Sequence, residues 1–301
     1  MAKTWAWLGV ARGRFLLLTF SCVSLGIALG GGKSLAVADV LLVLVGALAA
    51  HVAVNALNEY GDFRSGLDLH TRPTAFSGGS GTLPNHPHLL GHALLLGLGS
   101  LLTCAVIGGY FLVRQPSLIF SLLPLGLIGL LLVVLYTPWL TRHPWLCLFA
   151  PGLGFALIVL CTRIVLSGRL TDLDLLLTLV PLLLCNNLLL LNQFPDREAD
   201  LAAGRRTLPI QIGCRKALYV ATLQWLLAYA ALLGTLIHPE LSGAALGLLT
   251  LPLALRASWL LYPDPLDEQR LLPALGLNAS VSVATPLLMA LGLASASPLW
   301  P

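Results

Sequence analysis

The sequence predicts an all-α, polytopic membrane protein with about nine transmembrane helices in a bundle around a central cavity. The chain of 301 residues is 57% hydrophobic and only 10% charged, whereas soluble domains carry about 25% charged residues. Its mean hydropathy is +0.88. The apolar runs are continuous and rich in leucine, and they have the length of about 20 residues that a helix needs to cross a bilayer. Strands of a membrane barrel would be shorter and would alternate in polarity.

Nine apolar segments follow one another along the chain, with turns rich in glycine and proline between them. They cover residues 14–30, 36–57, 89–112, 117–136, 145–166, 172–192, 217–237, 242–262 and 271–294. No small-residue cleavage site follows the first segment, so we interpret it as a retained span rather than a signal peptide. The two longest connections, 58–88 and 193–216, lie on the same side of the membrane in this topology. We expect a single transmembrane domain over residues 1–301.

The distribution of basic residues orients the predicted bundle. With the N-terminus inside, only four of the seventeen lysines and arginines lie outside, namely Lys33, Arg114, Arg163 and Arg169. Cytoplasmic loops carry such an excess of positive charge, so we expect both long connections to face the cytoplasm. No transit-peptide pattern is visible, and we expect a prokaryotic plasma membrane. The formal net charge of +4 is too small to indicate nucleic acid binding.

A cluster of oxygen ligands follows the sixth apolar segment. Asn192, Asp196 and Asp200 recur every four residues, and in a continuous helix this spacing places them on one face, about one turn apart. Arg205 and Arg206 follow. Hard oxygen donors beside arginines suit Mg²⁺ together with a phosphate-bearing ligand. The alternative is a solvated helix end with a charge cluster of no catalytic role.

A second copy of this pattern follows the second apolar segment. Asn58 and Asp62 precede Asn192 and Asp196 by the same 134 residues, and each pair closes an apolar segment. We therefore predict two pseudo-repeated halves that meet around one site. Carboxylates brought together in this way raise one another's pKa or recruit a cation, and a shared divalent cation resolves the repulsion. Alternatively, the two acidic stretches lie apart in solvent.

With both motifs described, the chain resembles the UbiA-type intramembrane prenyltransferases. The first motif reads Asn55-x-x-Asn58-Glu59-Tyr60-x-Asp62-x-x-x-Gly66-x-Asp68, similar to the family's N-D-x-x-D-x-x-x-G-x-D. The second reads Asp196-x-x-x-Asp200-x-x-x-Gly204-Arg205-Arg206-Thr207-Leu208, similar to D-x-x-x-D-x-x-x-G-K-R-T-L. Two departures are visible: Glu59 stands where the family usually has Asp, and Arg142, six residues beyond Tyr136, only loosely matches the basic residue of the fourth span.

The resemblance implies transfer of an isoprenyl chain from an allylic polyprenyl diphosphate to an aromatic acceptor, with Mg²⁺ as cofactor. The Gly-x-Asp ending of the first motif is most similar to the menaquinone branch, which prenylates a dihydroxynaphthoate. We expect the metal ligands to be Asn58, Asp62, Asp68, Asn192, Asp196 and Asp200. We expect the diphosphate to be bound by Arg72, Arg142, Arg205 and Arg206. We assign direct catalytic roles to Asp62, Asp68 and Asp196, and further candidates are Asn55, Glu59 and Tyr136.

Two alternatives to this assignment stay open at the level of sequence. Within the same superfamily the acceptor could be 4-hydroxybenzoate, homogentisate, a haem vinyl group, a chlorophyllide or a glycerol-phosphate lipid. In a different class, the chain could be a cation or substrate carrier whose acidic mouths bind ions. A carrier should place ionisable residues in the middle of its spans. Here spans two and six carry theirs at the cytoplasmic ends, and Arg163, toward the outer end of span five, is the main exception.

Overall fold

The computed structural model describes residues 7–30, 36–71 and 73–296, and within these ranges every regular element is helical. Nine long helices follow in order: α1 (Leu16–Leu29), α2 (Val37–Arg64), α3 (Leu90–Arg114), α4 (Ile119–Leu135), α5 (Pro144–Ser167), α6 (Asp172–Ala202), α7 (Cys214–Gly234), α8 (Leu251–Leu261) and α9 (Glu268–Ala296). A 3-10 segment, Pro239–Thr250, leads into α8. By length and composition α2 to α7, α9 and the continuous helix Pro239–Leu261, which joins the 3-10 segment to α8, can each cross a membrane, and the apolar helix that contains α1 is shorter. The predicted all-α membrane fold is confirmed.

The two helices that carry the acidic motifs extend well past their apolar segments. The apolar segments end near residues 57 and 192, whereas α2 continues to Arg64 and α6 to Ala202. The α6 helix passes through Pro195 without interruption. Several polar side chains in these last turns form hydrogen bonds with neighbouring segments, as described below. The motif residues up to Asp62 and Asp200 are held on helical turns, whereas Asp68 lies in a short 3-10 turn after α2 and Arg205 follows the end of α6.

Helix α6 lies at the centre of the bundle, between α5, α7 and α9, and its apolar side chains are among the most buried in the chain. Its start is fixed by a capping box, in which Thr171 Oγ1 accepts from the Asp174 N–H and Asp174 Oδ2 accepts from the Thr171 N–H. Arg163 of α5 donates to the same Asp174 carboxylate at 3.1 Å, and both side chains are buried. Arg163, near the end of α5, thus has a structural partner. The exposed leucines are spread over most of the helices.

A buried amide network fixes the rotation of α6 among its neighbours. Asn186 donates to Gln224 of α7 at 3.0 Å, and Gln224 donates in turn to Asn187 at 2.9 Å. Asn186 Oδ1 also accepts from the backbone N–H of Gly152 on α5. A Cβ at residue 152 would lie 2.1 Å from the Leu182 carbonyl oxygen, so only glycine permits this approach of α5 to α6. The network lies one to three turns before the acidic motif of α6.

Candidate active site

A cavity of about 580 Å³ lies among α1 to α6, and no residue of α7 to α9 lines it. One end of the cavity is polar and contains the acidic residues at the ends of α2 and α6. The other end is formed by apolar side chains, including Val43, Ile107, Phe111 and Leu122. The cavity therefore combines a site for a charged group with a site for an apolar chain.

The two acidic motifs meet at the polar end through Arg205. Its guanidinium contacts Asp62 of α2 through Nη2 and donates to Asp200 of α6 through Nη1 at 3.0 Å. The Arg205 side chain is 17% exposed, against 7% for Asp62 and 4% for Asp200. The backbone N–H of Arg205 also bonds to the Asp200 carbonyl oxygen. The expectation that the two motifs converge on one site is met, and the cation between them in this structure is an arginine.

The glycine-rich loop after α2, residues 77–81, forms hydrogen bonds with both motifs. Gly78 donates its backbone N–H to Asp196 Oδ2 at 2.9 Å. Ser80 donates its backbone N–H and its hydroxyl to the two carboxylate oxygens of Glu59, at 2.9 and 2.7 Å. Gly78, Gly79 and Gly81 all have a positive φ between 68° and 78°, which side chains with a Cβ rarely adopt. The loop is therefore an ordered part of the site, and the glycines permit its shape.

Arg12 is a site residue that the sequence did not reveal as one. Its Nε donates to Glu59 Oε1 at 3.0 Å, and Nη2 donates to Asn58 Oδ1 at 3.1 Å. Arg12 has a φ of +50°, the one positive φ outside glycine in the described residues. Strained backbone of this kind persists where surrounding contacts enforce it, often at functional sites. In the sequence, Arg12 contributes only to the charge that precedes the first span.

Two buried carboxylate or amide oxygens in the cavity wall lack a hydrogen-bond partner among the described residues. They are Asp68 Oδ2 and Asn192 Oδ1, and Thr207 Oγ1 is a third unpaired atom in the same wall. Unpaired buried oxygens are costly unless a ligand or ion satisfies them. Oxygen atoms of this type are the ligands that Mg²⁺ prefers, so the residues present fit this ion. Within the described ranges no three carboxylate, imidazole or thiol groups form a ready metal cluster.

Burial and charge change the protonation equilibria around the polar end. Burial raises the pKa of Asp68, and the nearby carboxylates of Glu59 and Asp62 also raise it, so that it reaches about 7. Burial alone would lower the pKa of Arg205, but Asp62 and Asp200 outweigh this effect and the pKa is raised. Arg205 therefore stays charged at any physiological pH, whereas Asp68 titrates near neutrality. Burial also raises the pKa of Tyr136, so this phenol stays neutral.

The remaining predicted site residues lie at different distances from the cavity. Tyr136 lines it, and Asn55 lines it as well, with its amide donating to the Ala11 carbonyl oxygen. Glu59 is fully buried and its oxygens are occupied by Arg12 and Ser80. Arg142 and Arg206 are exposed and do not line the cavity. Arg72 falls outside the described residues.

Comparisons with known proteins show which family the sequence is similar to. A sequence model of the UbiA prenyltransferase family matches residues 18–296. The chain is 28% identical over 201 residues to 1,4-dihydroxy-2-naphthoate octaprenyltransferase from Bacillus subtilis (strain 168), an alignment that covers 65% of this chain and 62% of that relative, less than two thirds of its length.

Two solved structures share the fold over almost the whole chain. A digeranylgeranylglyceryl phosphate synthase superposes with a TM-score of 0.66 at 20% identity, covering 97% of this chain and 99% of that one. A UbiA homologue from Archaeoglobus fulgidus bound to DMAPP and Mg²⁺ superposes with a TM-score of 0.63 at 12% identity, covering 94% and 98%. At these identities the likeness concerns the fold.

Proposed function

Since the chain belongs to the UbiA prenyltransferase family, we propose that this integral membrane prenyltransferase moves an isoprenyl chain from an allylic polyprenyl diphosphate to an aromatic acceptor. The acceptor we propose is a dihydroxynaphthoate. We infer from the distribution of basic residues that the N-terminus and the active site face the cytoplasm. The single observation that carries the proposal is the division of the cavity into a polar end with two acidic motifs and an apolar end.

The polar end suits the diphosphate group of the donor. Mg²⁺, when bound, would neutralise the charge that develops on the diphosphate as the allylic carbon–oxygen bond breaks. Asp68 and Asn192 offer unpaired oxygens to this ion, and Asp62, Asp196 and Asp200 lie in the same wall. Asn58 lines the cavity too, although Arg12 already donates to its amide oxygen. Among the basic residues, Arg205 is best placed to bind phosphate oxygens, because it lines the cavity whereas Arg142 and Arg206 do not.

The apolar end suits the isoprenoid chain. Helices α2 to α5 supply a wall of apolar side chains, and Phe111, Phe155 and Leu122 belong to it. Such a wall excludes water from the allylic cation that remains when the diphosphate leaves, so hydrolysis does not compete with transfer. The new carbon–carbon bond then forms between C1 of the isoprenyl chain and the ring, and the attacked ring carbon loses its substituent, as CO₂ when that substituent is the carboxylate or as a proton when it is hydrogen. A carboxylate at the polar end, Asp68 or Asp62, can accept the proton when that substituent is hydrogen.

The choice of acceptor rests on two supports. One is the first motif, whose Gly66-x-Asp68 ending resembles the menaquinone branch of the family. The other is the 1,4-dihydroxy-2-naphthoate octaprenyltransferase of Bacillus subtilis, a relative at 28% identity. The proposal therefore places the chain in quinone biosynthesis, at the step that attaches the isoprenoid tail.

The test is an assay of the purified protein in lipid nanodiscs with geranylgeranyl or farnesyl diphosphate, Mg²⁺ and 1,4-dihydroxy-2-naphthoate. We expect a prenylated naphthalene product that is lost when EDTA replaces Mg²⁺. A parallel panel contains 4-hydroxybenzoate, homogentisate, haem, chlorophyllide and a glycerol-phosphate lipid. Product with one of these and none with the naphthoate would refute the acceptor and keep the reaction. If no allylic diphosphate is consumed with any acceptor, the proposed reaction itself is wrong.

A further inference from the structure

His51 is a polar side chain in the part of the cavity where most of the wall is apolar. It lies on α2, lines the cavity and is 8% exposed. With Asn55, Asn58 and Asp62 it follows spacings of four, three and four residues, which places all four on one face of α2. Seven residues of helix separate it from Asn58, about 10 Å along the axis at 1.5 Å per residue. His51 therefore lies well inside the cavity, beyond the site that we propose for the diphosphate.

Two neighbouring helices hold the imidazole ring in one orientation. Thr19 Oγ1 of α1 lies 2.7 Å from His51 Nδ1. Phe155 of α5 packs edge-on against the ring, with centroids 5.1 Å apart and an interplanar angle of 85°. A ring held on two sides in a low-dielectric wall is preorganised, because it loses little freedom when a ligand binds.

The hydrogen bond between Thr19 and His51 indicates which ring nitrogen of His51 carries the proton. The Thr19 side chain is completely buried, and among the described residues His51 Nδ1 is the one partner of its hydroxyl. If His51 donated to Thr19, the hydroxyl proton would have no acceptor, which is costly in a buried setting. Thr19 therefore donates and Nδ1 accepts. A neutral imidazole whose Nδ1 accepts carries its proton on Nε2, and no group within residues 7–30, 36–71 and 73–296 accepts from that nitrogen.

We propose that the His51 Nε2–H donates a hydrogen bond to a hydroxyl oxygen of the aromatic acceptor and thereby positions its ring. This inference rests on the proposed function. The acceptor ring must meet the isoprenyl C1 just inside the diphosphate site, and His51 is on the same face of the same helix as Asn58. The other polar side chains at this depth are already committed or weak: the Thr162 hydroxyl donates to the Ile158 carbonyl oxygen, and Cys104 and Cys161 have only thiols.

The proposed role of His51 differs from that of a catalytic base. Because Nε2 is protonated and Nδ1 already accepts from Thr19, the ring has no free lone pair to take a proton from the acceptor. His51 is a positioning residue that selects acceptors with an oxygen at the right place. A site built to donate to a substrate oxygen discriminates strongly against an analogue that lacks it, because the donor is then left unpaired.

The experiment compares wild type with H51F, H51Q and T19V in the nanodisc assay with 1,4-dihydroxy-2-naphthoate as acceptor. H51F keeps an aromatic ring against Phe155 but has no donor, whereas Gln can still donate. We expect H51F to raise the acceptor KM by roughly three- to tenfold, the size of one uncharged hydrogen bond, and to leave the donor KM unchanged. H51Q should return the acceptor KM toward that of wild type. T19V should raise the acceptor KM by a smaller factor, because the imidazole remains and only the contact that fixes its tautomer is lost.

Competitive inhibition by naphthoates that lack one hydroxyl completes the test. Wild type should bind 1,4-dihydroxy-2-naphthoate more tightly than either 1-hydroxy-2-naphthoate or 4-hydroxy-2-naphthoate, and H51F should lose one of these two preferences. An H51F enzyme with the wild-type acceptor KM overturns the inference, and so does a change confined to the donor KM. If H51F fails to fold, an unchanged acceptor KM in T19V overturns it. A wild type that consumes no allylic diphosphate overturns the proposed function, and this inference with it.

Discussion

Asp62 and Arg205, 143 residues apart in the chain, form an ion pair at the polar end of the cavity. The same guanidinium binds Asp200 at 3.0 Å, so one cation is shared by a carboxylate of α2 and a carboxylate of α6. Two carboxylates removed from water and held close together need such a neighbour. A divalent cation meets the same need, and the guanidinium and Mg²⁺ are therefore two ways of neutralising the same pair of groups.

Replacing Arg205 with glutamine should make folding depend on Mg²⁺. R205Q leaves Asp62 and Asp200 buried without a cation, and breaking a buried pair in this way costs about 3 kcal/mol or more of unfolding free energy. Added Mg²⁺ should recover more of the stability in R205Q than in wild type, because it binds the folded state. Thermal unfolding in detergent with Mg²⁺ or EDTA measures both effects. R206Q alters the exposed neighbour and should behave like wild type; equal Mg²⁺ responses in R205Q and wild type would contradict the shared-cation argument.

Asp196 should be essential for transfer, whereas Glu198 on the same helix should not. Asp196 lines the cavity and accepts from the Gly78 N–H, while the Glu198 side chain is 91% exposed. Removing one charge-stabilising group from an active site typically costs a factor of about 100 to 1,000 in rate, and we expect D196N to lose activity by at least about 100-fold. E198Q changes the same charge on the same helix and should keep its rate. The prenyl-transfer assay under saturating donor gives both numbers, and comparable losses in the two variants would argue against a specific role for Asp196.

Glu59 should matter for stability more than as a metal ligand. It is fully buried, and Arg12 and Ser80 occupy its oxygens. E59Q should lower the unfolding free energy by about 2 to 3 kcal/mol, because it leaves the Arg12 charge without its partner. S80A should cost about 1 kcal/mol, the typical net value of one hydrogen bond.

The control for these two variants is E240Q, an exposed carboxylate far along the chain, which should be neutral. Urea titrations followed by tryptophan fluorescence compare the three. An E59Q protein as stable as wild type but with much weaker Mg²⁺ binding would contradict this prediction and assign Glu59 to the metal.

The helices and the convergence of the two motifs could be predicted because both follow from local sequence patterns. Apolar runs of bilayer length define the spans, and the spacing of Asn192, Asp196 and Asp200 matches a helical turn. The capping box at Thr171 and Asp174 is likewise a local pattern, because the two residues are three positions apart.

The hydrogen bonds and ion pairs within the site could not be predicted, because they depend on which segments meet in space. Arg12 reaches Asn58 and Glu59 across 46 and 47 residues, and nothing in its local sequence marks it out. Arg205 and Arg206 are adjacent, yet one lines the cavity and the other is exposed, since the direction of each side chain is set by the turn after α6. A run of glycine and serine is locally the same as a flexible connection, and only the contacts of Gly78 and Ser80 reveal that this loop is ordered.

Mg²⁺ affinity should fall with pH below neutrality because of Asp68. Burial and the neighbouring carboxylates raise the pKa of Asp68 to about 7, so the metal-free protein holds a proton on this group in acid. Mg²⁺ binds the deprotonated carboxylate and must displace that proton, which weakens binding by about tenfold for each pH unit below 7. Above pH 7 the group is already ionised and this dependence should disappear.

The measurement that checks this prediction is the Mg²⁺ concentration needed for half-maximal thermal stabilisation between pH 5.5 and 8.5. D68N keeps an amide oxygen but has no proton to release in this range, so its affinity should be weaker than that of wild type at pH 8 and nearly independent of pH between 6 and 8. The Mg²⁺ affinities of wild type and D68N should therefore approach one another as the pH is lowered. A wild-type slope that persists unchanged in D68N would assign the titration to another group, and a flat wild-type curve would mean that Asp68 does not hold the metal.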